Sequence, residues 1–269
     1  MADCQISRDL INAAAYVLVM LAARYFNALR LNFMADKQRR IKKLVESIVS
    51  YLQANRGSAP GVDLTLKKLS AIDLSEKSFI DASPKGTRHD EVLRNAIVKI
   101  ASPELQEIAN CLKAAKDDLV WREDNAQFYP AGADLGEGYQ RCNLHTLLIG
   151  PDACGHHHPD FSLGIFMLGP RTLYRDHNHD APELYLNLSD KSGWRFGAQD
   201  WQDFPAGSLI WNAAGKSHAT RVYDEPFISV FVWLENVNSP CNLIHSDDWP
   251  KIEQDLAKGF GARGLTNVQ

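Results

Sequence analysis

The sequence predicts an α+β chain: a mainly helical amino-terminal segment over residues 1–123, a β-rich domain over 124–238, and a tail over 239–269 carrying a short helix. Two observations lead there. Before Gly57 the chain has no Pro or Gly and is dominated by Ala, Leu, Arg, Lys, Gln and Met, the residues that best tolerate a helix. After Asn125, Gly, Pro, Asp and aromatic residues become frequent and the apolar runs shorten, as in a sandwich or small barrel of short strands.

In order, helix is expected from about Ser7 to Asn55. Its second part places Ile41, Leu44, Val45, Ile48, Val49 and Leu52 at three- and four-residue steps, one apolar face. Gly57-Ser58-Ala59-Pro60-Gly61 reads as a break, followed by a poorly periodic stretch to Pro84-Lys85-Gly86. A helix is expected from Asp90 to Ile100. Another starts at Ser102-Pro103-Glu104, where Ser can cap and Pro fits the first turn, and runs to about Trp121. Strands are expected at Asn143–Ile149, Phe161–Leu168, Glu183–Ser189, Ser208–Asn212, Ala219–Tyr223 and Phe227–Leu234. Turn residues such as Gly150-Pro151-Asp152 and Pro205-Ala206-Gly207 separate them. The tail helix is placed near Asp248–Leu256.

Charge and cysteine content exclude several classes. The net charge of -4 divides into 19 Lys/Arg against 15 Asp/Glu before residue 124 and 10 against 18 after it. Neither part has the basic density of a nucleic-acid surface, and no helix-turn-helix pattern surrounds the basic stretch Lys37–Lys43. The five cysteines are scattered with no Cys-x-x-Cys, which argues against a disulfide framework and for a reduced, cytoplasmic setting. The apolar run Leu10–Ala23 is shorter than the roughly 20 residues a membrane span needs, and Asp3 and Asp9 precede it where an export signal would be basic. It reads as a helix buried in the fold or at a homodimer contact.

The chemistry concentrates at His177-Asn178-His179-Asp180-Ala181-Pro182-Glu183-Leu184-Tyr185. Histidines at i and i+2 share one side of a strand. Glu183, beyond a Pro-bearing bend, can return to the same point, and His218 on a later strand is the candidate fourth ligand. Imidazole with carboxylate suits one divalent transition metal (Zn, Fe, Mn, Co or Ni) better than Ca or Mg. Tyr185 shares the face of Glu183. The tract His156-His157-His158 lies among Gly, Pro and Asp and reads as a surface loop. His145, on an apolar stretch, reads as a hydrogen-bonded core residue. Arg171, Arg175 and Asp176 flank the motif and are placed to orient ligands.

These residues resemble a known family. His177-x-His179-x-x-x-Glu183 looks like the first cupin motif, and Gly207, five residues, Ala213-x-Gly215-x-x-His218 looks like the second, with Ala in place of the usual Pro. Asp190 stands where the first motif has Gly, and Val222 where the second has Asn. Over residues 125–238 the chain is similar to the cupin-type dimethylsulfoniopropionate (DMSP) lyases, which cleave DMSP to dimethyl sulfide and acrylate. The similarity lies in Tyr185, two residues after Glu183, Tyr174, five before His179, and Trp233, fifteen after His218.

The resemblance implies a jelly-roll-type cupin β-barrel holding one divalent metal through His177, His179, Glu183 and His218. It implies a carbon–sulfur lyase with Tyr185 as base and Tyr174 and Trp233 against a small sulfonium carboxylate; Phe166, Trp211 and Tyr223 are further candidates for aromatic walls. Two rival readings keep the fold: an Fe-dependent cupin dioxygenase, and a non-catalytic small-molecule sensor.

Overall fold

A computed structural model describes residues 20–21, 25–26 and 34–259. It separates into two compact units, Met1–Arg40 and Ile41–Gln269. In the first unit every described residue is helical. The expected apolar helix Leu10–Ala23 lies outside the described residues except for Met20 and Leu21. No helix among the described residues is long and apolar enough to cross a membrane.

The second unit opens with helix α1 over residues 41–54, whose Ile41, Leu44, Val45, Ile48 and Leu52 are buried, following the predicted spacing. Helix α2 (Pro60–Leu69) follows where a poorly periodic stretch was expected. Pro60 sits at its first turn, where a missing N–H costs nothing, so the Gly/Pro cluster both ends α1 and starts α2. Its buried Val62, Leu66 and Leu69 make too short a pattern to stand out in sequence. Gly61 places α2 tightly: a Cβ there would lie 2.3 Å from the Trp211 ring. Gly61→Ala should therefore cost about 1–3 kcal/mol through overpacking, read as a lower melting temperature. An unchanged melting temperature would mean that α2 moves away freely. Helix α3 (Asp90–Val98) and helix α4 (Gln106–Ala115) complete the helical layer, α4 entered through a 3-10 turn at Pro103–Leu105. The helix expected to reach Trp121 stops at Ala115 and is followed by a 3-10 turn, Lys116–Asp118.

The β-rich part holds eleven strands among the described residues: β1 (Asn143–Gly150), β2 (His156–His157), β3 (Ser162–Leu168), β4 (Thr172–Asn178), β5 (Glu183–Asn187), β6 (Lys191–Phe196), β7 (Gln202–Pro205), β8 (Leu209–Asn212), β9 (His218–Val222), β10 (Phe227–Trp233) and β11 (Asn242–Leu243). They form one sheet in the order β2-β1-β3-β10-β5-β8 and another in the order β11-β4-β9-β6-β7, antiparallel except for β1 with β2. The two sheets face each other as a cupin-like jelly roll rather than closing into one continuous ring.

Alternation explains the layering. On β3, Leu163, Ile165 and Met167 join α1–α4 in one core, while Phe166 and Leu168 point to the opposite sheet. On β10, Ile228, Val230 and Val232 face the helices, and Phe227, Phe231 and Trp233 face the interior. The six-stranded sheet is thus covered on both faces, which is why β3 is buried at every position. The tail helix α6 (Trp249–Lys258) covers the outer face of the other sheet through Leu173, Trp249 and Leu256.

Strands β6 and β7 were not expected, because charged residues and Gly occupy them. Their outer surface is held by Arg195 and Arg221, each 4.8 Å over the Trp201 ring, rather than by an aliphatic row. The His tract is also corrected: His156 is buried in β2 and bonds Ser78 Oγ through Nδ1 at 2.9 Å, while His157 is exposed.

Candidate metal centre and active-site cavity

The site lies between the sheets, and an irregularity in β4 builds it. Tyr174 pairs with Thr220 of β9 and His177 with His218, so three steps on β4 match two on β9. The extra residue is a β-bulge. Regular alternation would send Tyr174 and His177 to opposite faces; here both rings face the interior, stacked at 4.1 Å. Arg175 and Asp176, between them, bond to the tail on the other face.

The structure brings His177, His179 and His218 together, with ligand-capable nitrogens within 4.8 Å of one another and all three side chains buried. Each Nδ1 is engaged by a backbone carbonyl: His177 with Arg175 O at 2.7 Å, His179 with Ala181 O at 2.8 Å, His218 with Lys216 O at 3.1 Å. With Nδ1 donating, each ring keeps its lone pair on Nε2, the tautomer that metal ligation needs. His218 Nε2 is buried and has no hydrogen-bond partner among the described residues, although Glu183 Oε2 lies 3.3 Å away. A buried polar atom left unpaired in this way is costly unless a further group binds it.

Glu183 opens β5, directly opposite Trp233 of β10 and Asn212 of β8. Trp233 Nε1 donates to its Oε1 at 2.7 Å, and Asn212 Nδ2 donates to Oε2 at 3.0 Å. His179 Nε2 is 3.4 Å from Oε2. Burial pushes the Glu183 carboxyl up, but His179 and His218 outweigh that and hold it well below the usual range. Burial drives the His177 imidazole well below its ordinary value, and the neighbouring His218 adds to that. Three neutral-capable imidazoles around one carboxylate fit a borderline divalent transition ion.

Beside these groups is a cavity of about 450 Å³ lined by His177, His179, Glu183, Tyr185, Tyr174 and Trp233, among others. Phe166 lines it as well. Trp211 and Tyr223 do not: Trp211 packs on the helix side against Gly61, and Tyr223 on the outer face beside Arg221. These two expected wall residues are corrected. Tyr185 is buried two residues beyond Glu183, and burial together with the Glu183 carboxylate holds its phenol well above the usual value. Trp233 lies 4.4 Å from the His179 ring while bonding Glu183, so it braces two of the grouped residues at once.

Several cavity residues escaped the sequence reading. Tyr129 bonds the Tyr174 hydroxyl at 2.8 Å, and Tyr139, stacked on Tyr174 at 4.7 Å, donates to Asp124 Oδ2 at 2.9 Å. Burial pushes the Asp124 carboxyl up. Cys241 also lines the cavity, its thiol pushed up to about 12 by burial. Asp124 and Tyr129 lie in an irregular segment and Tyr139 in the short helix α5 (Glu137–Arg141), too brief for any periodic signal. Asn212 fell within an expected strand, but only its pairing with Glu183 reveals its use.

Comparison with known proteins adds to this geometry. The family model described as dimethylsulfoniopropionate lyase matches residues 80–229. A curated relative, dimethylsulfoniopropionate lyase DddQ of Ruegeria pomeroyi, is 26% identical over 74 residues, 28% of this chain and 37% of its own length. The chain thus spans well under half of that relative in the match. Among solved structures, a chain from the DMSP lyases RdDddP and RnDddQII superposes with a TM-score of 0.60 at 17% identity, covering 78% of this chain and 100% of the other. The structure of DddQ from Ruegeria pomeroyi DSS-3 gives a TM-score of 0.55 at 18% identity, covering 78% and 98%. At these identities the structural likeness establishes a shared fold.

Proposed function

This chain belongs to the dimethylsulfoniopropionate lyase family, and from that premise we propose that it is a metal-dependent carbon–sulfur lyase that cleaves DMSP to dimethyl sulfide and acrylate. The observation that carries the proposal is the shared cavity: His177, His179, Glu183 and the phenol of Tyr185 line one space of about 450 Å³, large enough for a small zwitterion.

The reaction is a β-elimination. Tyr185, as phenolate, takes the proton α to the substrate carboxylate. The electrons of that C–H bond form the double bond, and those of the C–S bond leave with sulfur as neutral dimethyl sulfide. The sulfide needs no proton, so one base suffices. A divalent ion held by His177, His179, Glu183 and His218 would supply positive charge beside the substrate carboxylate and offset the Glu183 charge that keeps the phenol protonated. Trp233 and Asn212 fix Glu183 by one hydrogen bond to each oxygen. Tyr174 and Trp233 form aromatic walls, with Phe166 and Tyr129 completing a surface suited to a sulfonium cation.

The test is headspace detection of dimethyl sulfide, with acrylate measured in solution, after DMSP is added to purified protein. Chelated protein and protein supplied with Zn, Mn, Fe, Co or Ni are compared. Release of both products is expected with at least one ion and only background with chelator. Absence of product with every ion would overturn the proposal. Release undiminished by chelator would overturn its metal dependence alone.

A further inference from the structure

We propose that the carboxyl-terminal segment, β11 and α6, is a positioning element for the metal centre, acting through Asp176 and Arg175 on the β4 bulge.

The connection is continuous and short. His177 Nδ1 is oriented by the carbonyl of Arg175, a bulge residue, at 2.7 Å. The direction of that carbonyl, and so of His177 Nε2, depends on how the bulge is held. Its two outward side chains are held on the outer face. Asp176, buried, bonds Arg195 through Nε at 3.1 Å and through Nη2, and accepts the Trp249 Nε1 hydrogen bond at 2.7 Å. Arg195 in turn bonds Asp248, next to Trp249 at the start of α6. Arg175 bonds Glu253 of α6 at 2.8 and 3.1 Å and Asp134 at 2.9 Å, its guanidinium 4.9 Å over the Trp249 ring. Ile244 N donates to the Asp176 carbonyl at 2.7 Å, and β11 pairs Leu243 with His177 itself.

The tail thus grips both bulge side chains, one bulge carbonyl and the ligand residue's own backbone. Two charges turned outward from a strand next to a candidate ligand are expensive for packing alone, since a hydrophobic pair would fill the space at no desolvation cost. What this arrangement provides is a fixed direction for the strand where alternation is broken. Asp176 and Arg175 act through His177, so they are positioning residues with no substrate contact.

The inference rests on the metal-site reading above, and its test separates the two. Zn(II) and Co(II) dissociation constants are measured by chelator competition for wild type, Asp176→Asn, Glu253→Gln and the control Asp255→Asn. Among the described residues, Asp255 bonds Lys251 and Lys258 within α6. Melting temperatures are recorded on metal-free protein and the Co(II) absorption band on loaded protein. Asp176→Asn keeps the size of the side chain and an acceptor for Trp249 but removes its charge toward Arg195. It should weaken both ions by about 10–100-fold, the range seen when a contact orienting a ligating histidine is lost, and should alter the Co(II) band. Glu253→Gln, on a partly exposed pair, should give a smaller loss in the same direction even if Asp176→Asn folds poorly, and Asp255→Asn none. Lower melting temperatures with dissociation constants and Co(II) band equal to wild type in both variants would overturn the positioning role and leave the metal site standing. A wild type that binds neither ion would overturn both.

Discussion

Tyr185→Phe is expected to lower DMSP turnover by about 10²–10⁴-fold, the usual contribution of a positioned general base. Metal content and melting temperature should stay close to wild type. Removing only the hydroxyl leaves the ring among Phe166, Trp194 and Phe227, so the packing changes little. The sign of the effect follows from the electrostatics. Burial and the Glu183 carboxylate both keep the phenol protonated, so its base form depends on positive charge beside Glu183. Rate should therefore rise with pH toward the apparent pKa of Tyr185 in metal-loaded enzyme, and this limb should vanish in the Phe variant. Steady-state turnover across pH, with metal analysis on the same samples, reads both. Near-wild-type turnover in Tyr185→Phe would remove Tyr185 as base and turn attention to the Tyr129–Tyr174 pair.

What could be read in sequence was local. The His177-x-His179 spacing and the shared parity of Glu183 and Tyr185 need only strand alternation, and the site keeps all of these residues together. The apolar steps of α1 were equally plain because five of its buried residues fall on one face. Tyr174 shows the limit. Counting by twos from His177 turns it outward, and only an inserted bulge residue turns it in. That bulge depends on pairing with β9, some forty residues later, and on the grip of α6, seventy residues later, neither of which leaves a periodic trace. Trp211 failed for the opposite reason. Alternation puts it on a definite face, but which face is inside was decided by a helix, α2, that the Pro60-Gly61 break concealed.

His218→Ala is expected to lower the metal-to-protein ratio more than any change beyond the cluster, and activity with it, while leaving the metal-free fold intact. His218 Nε2 has no hydrogen-bond partner among the described residues. Deleting it thus removes a buried unpaired polar atom. Against this stands a cavity of one imidazole, so the metal-free melting temperature should change little in either direction. Addition of metal should separate the proteins clearly. A ligand present at 100 times its dissociation constant stabilises the native state by about 2.7 kcal/mol. Wild type should show a corresponding metal-induced rise in melting temperature, and His218→Ala should lose most of it at the same ion concentration. Glu183→Gln should lose it as well, but with a lower metal-free stability, because Gln disturbs the pairing of Trp233 and Asn212 with the carboxylate. An unchanged metal ratio together with an unchanged thermal response in His218→Ala would take His218 out of the centre. The unpaired Nε2 would then need another partner from the cavity.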